Sequence, residues 1–123
     1  MTPGRGSLPE SPRLAVVGSS EFAVVVDSAG PDRVVVRVCG ELDMATTPQL
    51  EEALADGPHA STLVIDLTEC TFLDSAGVRL ITATLQGHEH VSLVTDDPAI
   101  KRVLEITALD TVASVHPTLD AAL

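Results

Sequence analysis

The segment "LVIDLTECTFLDSAGVRLI", residues 63–81, joins a strand-like run to a helix-like run through a short polar stretch. The apolar run at 61–67 is bounded by polar residues, which is typical of a central strand buried on both faces. Residues 75–87 have helical spacing, and Gly87 is a natural stop. The apolar side of this helix consists of Val78, Ile81 and Leu85. We therefore expect a strand, a connecting loop over 68–73, and then a helix.

The joint at Asp74 and Ser75 has two interpretations from the residues alone. In open α/β sheets, binding sites lie where strands end and helices begin. Asp74 or Ser75 can accept a hydrogen bond from a free amide of the first helical turn, which would make the pair an ordinary helix cap. Alternatively, Ala76 and Gly77 have so little bulk that a partner could approach Ser75 closely. An anion on Ser75 would lie at a helix N-terminus, where amides and the helix dipole tolerate it.

The segment before this joint predicts a β-hairpin followed by a helix. Two Val-rich runs are separated by the polar residues 27–32, which is typical of a hairpin with a turn of several residues. Alternation in the second run places Val34, Val36 and Val38 on one face of the strand. In the helix that follows, Thr47 is the expected cap and Pro48 the first helical residue. Its apolar stripe is formed by Leu50, Ala53 and Leu54.

The segment after the joint predicts a short strand at 91–95, a helix that Asp97 caps, an edge strand at 112–115 and a last helical turn. Strands that alternate with helices imply the α/β class, here a single domain with a mixed four- to five-stranded β-sheet covered by α-helices. Residues 1–20 are rich in Pro, Gly and Ser, and we expect them to form a flexible N-terminal extension.

Composition excludes several classes of function. The formal net charge is −11, and Lys101 is the single lysine. Contact with a phosphate backbone needs clustered Arg and Lys, so we expect no direct nucleic-acid partner. An anionic membrane surface is disfavoured for the same reason. There is no Trp or Tyr and only two Phe, which argues against base stacking. The acidity suits a protein partner with a basic docking face.

The two cysteines and the absence of targeting signals indicate the cytoplasm. Cys39 and Cys70 lie in apolar segments, which favours two buried thiols over a disulfide. After Arg5 and Arg13, the longest apolar run is only residues 14–17, too short for a signal peptide. No run approaches the length of a transmembrane helix.

Enzymatic and metal sites are weakly supported. The nucleophile elbow of serine hydrolases needs glycine two residues before the serine, and Leu73 stands there instead. His88 and His90 flank Glu89, but no third ligand with convincing spacing accompanies them. We therefore expect no catalytic residue, no metal and no cofactor.

Three motifs together resemble a known family. They are "CGELDMATTPQLEEAL" at 39–54, the opening segment at 63–81, and "VTDDPAIKRVLEITALD" at 94–110. In this order they resemble a STAS domain of the anti-sigma factor antagonist type. The likeness runs from about Phe22 to the C-terminus, and a STAS domain over 21–123 is expected. The Gly-Glu-Leu-Asp turn and the Asp-Ser-Ala-Gly joint are its specific parts.

The resemblance implies a partner switch. Unphosphorylated family members bind an anti-sigma factor that is also a serine kinase, and this binding frees the sigma factor for transcription. Phosphorylation of the antagonist's serine ends the binding, and a metal-dependent serine phosphatase resets the switch. The acceptor serine directly follows Asp in the family motif, which corresponds to Ser75. The residues expected to contact the partner are Gly40, Glu41, Asp43, Asp74, Ala76 and Gly77.

Two alternatives stay open at this point. One is a STAS scaffold or small-ligand sensor that is not phosphorylated, and the other is a serine hydrolase. The sequence also departs from relatives in three places. Ala76 stands where many have a second hydroxyl, residues 81–91 look shortened, and Asp97 stands where relatives often have Asn. For Asp66, within the apolar strand, two roles are open: contact with loop amides, or proximity to a phosphate on Ser75.

Overall fold

The structure, a computed structural model, describes residues 13–18, 21–57 and 59–123. These residues form one sheet with strand order β1-β2-β3-β4-β5-β6. The strands are β1 (Arg13–Gly18), β2 (Ala23–Ser28), β3 (Arg33–Leu42), β4 (Thr62–Leu73), β5 (His90–Val94) and β6 (Ser114–His116). The helices are α1 (Thr47–Asp56), α2 (Ser75–Leu85), α3 (Pro98–Ile106) and α4 (Leu119–Ala122), with a 3-10 turn at Leu109–Thr111.

The sheet is mixed, as predicted. β1, β2 and β3 are antiparallel neighbours, whereas β3, β4, β5 and β6 run parallel. Each parallel pair is joined by a helical connection, because a chain that re-enters a sheet in the same direction must cross back over it. The predicted α/β class with a mixed sheet covered by helices is confirmed, and β1 adds one strand to the predicted number.

Aliphatic side chains fill the core on both sides of the sheet. On one side, a single cluster combines β-strand valines such as Val36 with Leu50 of α1, Ile81 of α2 and Leu104 of α3, all 1% exposed or less. On the other side, a smaller cluster contains Val35, Val64 and Val94, against which Leu119 and Ala122 pack. The alternation predicted for β3 is therefore confirmed.

The hairpin is confirmed, whereas the predicted cap of α1 is wrong. The Ala29 amide donates to the Arg33 carbonyl at 3.0 Å and closes the turn between β2 and β3. In α1 the capping position is Thr46, one residue before the predicted Thr47, and its side chain makes no cap hydrogen bond. The reason is that the Thr46 hydroxyl bonds within the turn before the helix, where it accepts from the Asp43 amide at 2.9 Å and donates to the Glu41 carbonyl at 2.7 Å.

The predicted loop over 68–73 is wrong, because β4 continues as a strand to Leu73. β3 also extends further than its Val-rich run suggests, and Cys39 to Leu42 pair with Glu69 to Leu73. This pairing supplies the backbone hydrogen bonds that make residues 68–73 extended. The helix expected from Ser75 follows directly.

The N-terminal segment also differs from the prediction. Within the extension expected to be flexible, β1 pairs antiparallel with β2, from Arg13 opposite Asp27 to Gly18 opposite Ala23. The outer edge of β2 offers unpaired backbone groups, and a short β-branched run satisfies them. Residues 1–12 lie outside the described residues.

Both cysteines are free thiols, as predicted. Cys70 is buried in the main core cluster, and Cys39 is half-buried. Burial raises the pKa of both thiols above its ordinary value, so the neutral form is favoured at neutral pH.

The cap of α3 is as predicted and gives a test of the helix assignment. The Asp97 carboxylate accepts hydrogen bonds from the amides of Ala99 at 2.8 Å and Ile100 at 3.5 Å. Asp97→Ala should lower the free energy of unfolding by about 1 kcal/mol, measured by urea denaturation. Asp96→Ala is the matched control, because Asp96 is exposed and caps no helix. Equal losses in the two variants would contradict the capping role.

Candidate functional site

The last residues of β3 and β4 extend beyond the rest of the described sheet. β2 pairs with β3 only as far as Cys39, and β5 pairs with β4 only as far as Asp66. Beyond these points the two strands pair only with each other in the described sheet. We call residues 40–46 and 71–77, which form the end of this two-stranded ribbon, the β3–β4 tip. The tip brings together all of the residues predicted to form the site.

Asp74 is the helix cap. Its Oδ1 accepts hydrogen bonds from the amides of Ala76 at 2.9 Å and Gly77 at 3.1 Å. Its own amide donates to the Leu42 carbonyl at 3.2 Å, which joins the start of α2 to the end of β3. The cap interpretation of the joint therefore holds for Asp74 and leaves the neighbouring serine free of that role.

Ser75 is the first residue of α2 and is exposed. Within the described part of the chain, its hydroxyl makes no hydrogen bond, so the group is free to react or to contact another molecule. Ala76, next to it, is half-buried and presents only a methyl group. Nothing on α2 shields the serine from an approaching partner.

Gly77 is buried and allows α2 to lie close to the ends of both strands. A Cβ atom at this position would lie 2.6 Å from Leu73 Cδ1 and 3.1 Å from the Leu42 carbonyl oxygen. The Leu73 side chain would have to turn away, and either the Leu42 carbonyl or α2 would have to move by a few tenths of an ångström. Gly77 thus sets the position of Ser75 through packing.

The turn after β3 is held by Asp43 and Thr46. The Asp43 carboxylate accepts hydrogen bonds from the amides of Ala45 at 2.9 Å and Thr46 at 3.1 Å. The Thr46 hydroxyl accepts from the Asp43 amide at 2.9 Å. Asp43 therefore has a structural role in the tip, while Glu41 is exposed.

Gly40 adopts a backbone conformation that other residues rarely take. Its φ is +102°, in the left-handed region that favours glycine. A Cβ atom there would overlap the Glu21 carbonyl oxygen, because the chain before β2 passes directly over this point. Gly40 is therefore required for the route of the backbone at the base of the turn.

Two apolar side chains of the tip were missed by sequence reasoning. Met44 in the turn is 74% exposed, and Phe72 near the end of β4 is 49% exposed. Phe72 lies opposite Glu41 in the register, one residue before the buried Leu73. If β4 had been predicted to continue to Leu73, strand alternation would have placed Phe72 on the face opposite the buried Leu73, and therefore in solvent. Exposed apolar side chains of this size at the tip are suited to contact with a protein surface.

A cleft of about 340 Å³ lies beside the tip. It is lined by Glu21, Phe22, Gly40, Glu41, Asp43, Thr46 and Thr71. Three of these residues are acidic, so the cleft adds negative potential at the turn after β3.

Three further charged residues, Asp66, Arg102 and Arg79, lie outside the tip. Asp66 is buried and bonded to Thr68 and Arg37. Arg102 pairs with Glu105 of the same helix at 3.9 Å, as expected for a solvated helix face. Arg79 is exposed on α2.

The described residues contain no group of three or more His, Cys, Asp or Glu side chains that could hold a metal ion. No hydrogen bond in this part of the chain joins Ser75 to a histidine, as a nucleophile and base would require. His59 and His88 stack on each other, with ring centroids 5.3 Å apart. Among the described helices, none has the length and apolar character needed to cross a bilayer.

Gly77 provides a test of the packing that positions Ser75. Gly77→Ala should lower the free energy of unfolding by about 1–3 kcal/mol, because overpacking outweighs the gain in helix propensity. Gly87→Ala is the control, since a Cβ atom there has its nearest neighbour, the Thr84 carbonyl oxygen, at 3.7 Å. Urea denaturation measures both changes. A loss in Gly77→Ala no larger than in Gly87→Ala would contradict the close approach of α2.

Comparisons with known proteins agree with the fold. A family model described as "Mlab, STAS domain" matches residues 25–117. The anti-sigma-F factor antagonist RsfB of Mycobacterium tuberculosis is 34% identical over an alignment of 96 residues, and the match covers 72% of this chain and 77% of that protein. The anti-sigma-B factor antagonist of Staphylococcus aureus is 32% identical over an alignment of 87 residues, and the match covers 66% of this chain and 81% of that protein.

A solved structure gives the same result in three dimensions. An anti-sigma factor antagonist from Mycobacterium paratuberculosis aligns with a TM-score of 0.74 at 34% identity, covering 86% of this chain and 95% of that chain. The names of these relatives describe regulators and not enzymes, so the serine hydrolase alternative is left without support. The chain belongs to the STAS domain family, of the anti-sigma factor antagonist type.

Proposed function

We propose that this protein is an anti-sigma factor antagonist that is switched off by phosphorylation of Ser75. In its unphosphorylated form it binds an anti-sigma factor with serine kinase activity, and this binding releases the sigma factor. A serine phosphatase of the metal-dependent class restores the binding form. The exchange takes place in the cytoplasm, where ATP and the transcription machinery are present. The observation that carries the proposal is the exposed, unbonded hydroxyl of Ser75 directly after the capping residue Asp74.

The charge of a phosphoryl group explains how the switch works. Phosphorylation adds about −1.5 to −2 charges at neutral pH. The new charge would lie beside Asp74, on a protein whose formal net charge is already −11. Burying it in an interface is costly unless the partner supplies Arg or Lys. Reversing an occupancy from almost fully bound to almost fully free takes roughly 5 kcal/mol, which a desolvated, unpaired phosphate can supply.

The tip has the composition of a protein-binding surface. Met44 and Phe72 offer exposed apolar area, and Glu41 adds an exposed carboxylate beside them. Interfaces characteristically combine an apolar centre that contains aromatic residues or Met with a polar rim. The cleft lined by Glu41 and Asp43 favours basic groups of the partner at the turn after β3, and the switch requires that these groups do not reach a phosphate on Ser75.

Substitution of Ser75 tests the proposed switch. Ser75→Ala should keep the kinase partner bound, whereas Ser75→Asp should weaken the binding by at least about tenfold, because a charge at the contact is unpaired. Pull-down from the source cells with wild type and both variants, followed by titration calorimetry with the purified partner, measures this. Thr82→Asp is the matched control, since it adds the same charge at an exposed position of the same helix.

Phosphopeptide mapping completes this test. After incubation with the partner and ATP, the label should be on Ser75 and absent from Ser75→Ala. Label on another residue would refute the assignment of the acceptor. Identical partners for all three baits, with no change of intact mass, would favour the alternative of a STAS scaffold or small-ligand sensor that is not phosphorylated.

The apolar part of the tip gives a separate prediction. Phe72→Ala should weaken binding of the anti-sigma factor about tenfold or more, because aromatic residues at the centre of an interface contribute most to affinity. Ile106→Ala is the control, since Ile106 is 68% exposed on α3 and outside the tip. Calorimetry on the purified proteins compares the two variants. Equal affinities would show that Phe72 is outside the interface.

A further inference from the structure

Asp66 is the one buried carboxylate among the described residues, with 2% of its surface exposed. Its Oδ1 accepts hydrogen bonds from the Thr68 amide at 3.0 Å and the Thr68 hydroxyl at 2.7 Å. Its Oδ2 accepts from Arg37 Nε at 3.3 Å. A buried charge is costly unless it is paired and hydrogen-bonded, and these partners satisfy that requirement. Of the two roles that the sequence left open, contact with a nearby backbone amide is the one observed, but this amide belongs to β4 and not to a loop.

These hydrogen bonds lie where the pairing of β3 and β4 becomes irregular. Arg37 is opposite Asp66, and Leu42 is opposite Leu73. β3 takes five residue steps between these points and β4 takes seven. The two irregularities occur between Arg37 and Cys39 and between Gly40 and Glu41, so β4 contains two extra residues. Asp66 lies at the first irregularity, and its contacts with Thr68 hold the chain across it.

The two extra residues determine where Ser75 lies. In an uninterrupted ladder Leu42 would be opposite Thr71, and Asp74 would lie beyond the end of β3. The observed bond from the Asp74 amide to the Leu42 carbonyl therefore depends on the irregular register. Loss of the irregularity beside Asp66 alone would shift the register by one residue, and a one-residue shift would turn both Leu73 and Phe72 to the opposite face.

We propose that Asp66, with Arg37 and Thr68, is a clamp that positions Ser75 for partner docking and phosphoryl transfer. Asp66 is a positioning residue: it acts through the register of β4, since its side-chain contacts are with Thr68 and Arg37 at the base of the ribbon. The inference rests on the proposed function of Ser75, but the register itself can be tested without any partner.

Hydrogen exchange of single amides tests the register in the isolated full-length protein. In Asp66→Ala, exchange of the Asp74 amide should rise about tenfold relative to that of Ile65 in the centre of β4, because its acceptor is displaced. Thr68→Val, which removes only the hydroxyl donor, should give a smaller rise. Val35→Ala is the control: it removes volume from the core cluster on β3 but no contact of the clamp. If the ratio of the Asp74 to the Ile65 exchange rate is the same in Asp66→Ala and Thr68→Val as in Val35→Ala, the proposal is overturned.

Phosphoryl transfer from ATP by the anti-sigma kinase tests the functional consequence. For Asp66→Ala the kcat/KM for phosphorylation of Ser75 should fall about tenfold, mainly through KM, because the docking surface is misplaced. Asp66→Asn should recover part of the loss, since an amide oxygen can still accept from Thr68. Each variant is compared at a temperature where it is as fully folded as the others. Under these conditions the kcat/KM of Val35→Ala should remain near that of the wild type.

The outcomes separate the two proposals. Normal phosphorylation of Asp66→Ala, or a loss shared equally by Val35→Ala, would overturn the positioning role while leaving the switch intact. If the kinase leaves wild-type Ser75 unlabelled, the proposed function fails and the positioning role fails with it, while hydrogen exchange still decides whether the clamp sets the register. Should Asp66→Ala fail to fold, Thr68→Val and Arg37→Gln replace it in both experiments.

Discussion

At the tip, the Asp74 amide donates a hydrogen bond to the Leu42 carbonyl, 3.2 Å away, and this bond links the two strand ends that carry the site. The bond fixes the first residue of α2 with respect to the turn after β3. Asp74 also uses its carboxylate to cap the helix, so one residue holds both the strand contact and the helix start. This arrangement leaves Ser75 without a capping role, since Asp74 already accepts hydrogen bonds from the free amides of Ala76 and Gly77.

The residues of the tip divide into those that build it and those that are available to a partner. Gly40, Asp43 and Gly77 each satisfy a backbone or packing requirement within the chain. Ser75 and Phe72, in contrast, are exposed and have no such task in the described structure. Residues of the same motif, such as Ser75 and Gly77, can therefore differ in role. Substitutions of Gly40, Asp43 or Gly77 would affect binding only through the shape of the tip.

Much of the fold could be predicted from local sequence, because alternation and caps are local signals. The valines of β3 and the Asp97 cap are examples. The length of β4 could not, since residues 68–73 are extended only through pairing with the end of β3. Thr47 was expected as the cap, but the helix begins one residue earlier. The Thr46 hydroxyl at that position bonds to the Glu41 carbonyl, a contact that no local pattern shows.

In the site, the motif with Ser75 was recognised from sequence, and the exposure of Met44 and Phe72 was not. The turn and the joint are each a continuous run of residues, so the residue types in each run indicate a site directly. The exposure of Phe72 depends on a strand that continues past its apolar run and contains two extra residues, the first of them beside the Asp66–Thr68 hydrogen bonds. Long-range pairing of this kind has no counterpart in residue spacing.

The cap also bears on where a phosphate would act. Sequence reasoning placed an anion on Ser75 at a favourable helix N-terminus, but the amides of Ala76 and Gly77 already donate to Asp74. A phosphate on Ser75 would therefore compete with the Asp74 carboxylate for these two amides. The two negative groups, on adjacent residues, would also repel each other. It would gain little stabilisation from its own chain and would stay at the surface. Under the proposed function, phosphorylation would therefore change the interface with the partner far more than it would change the fold.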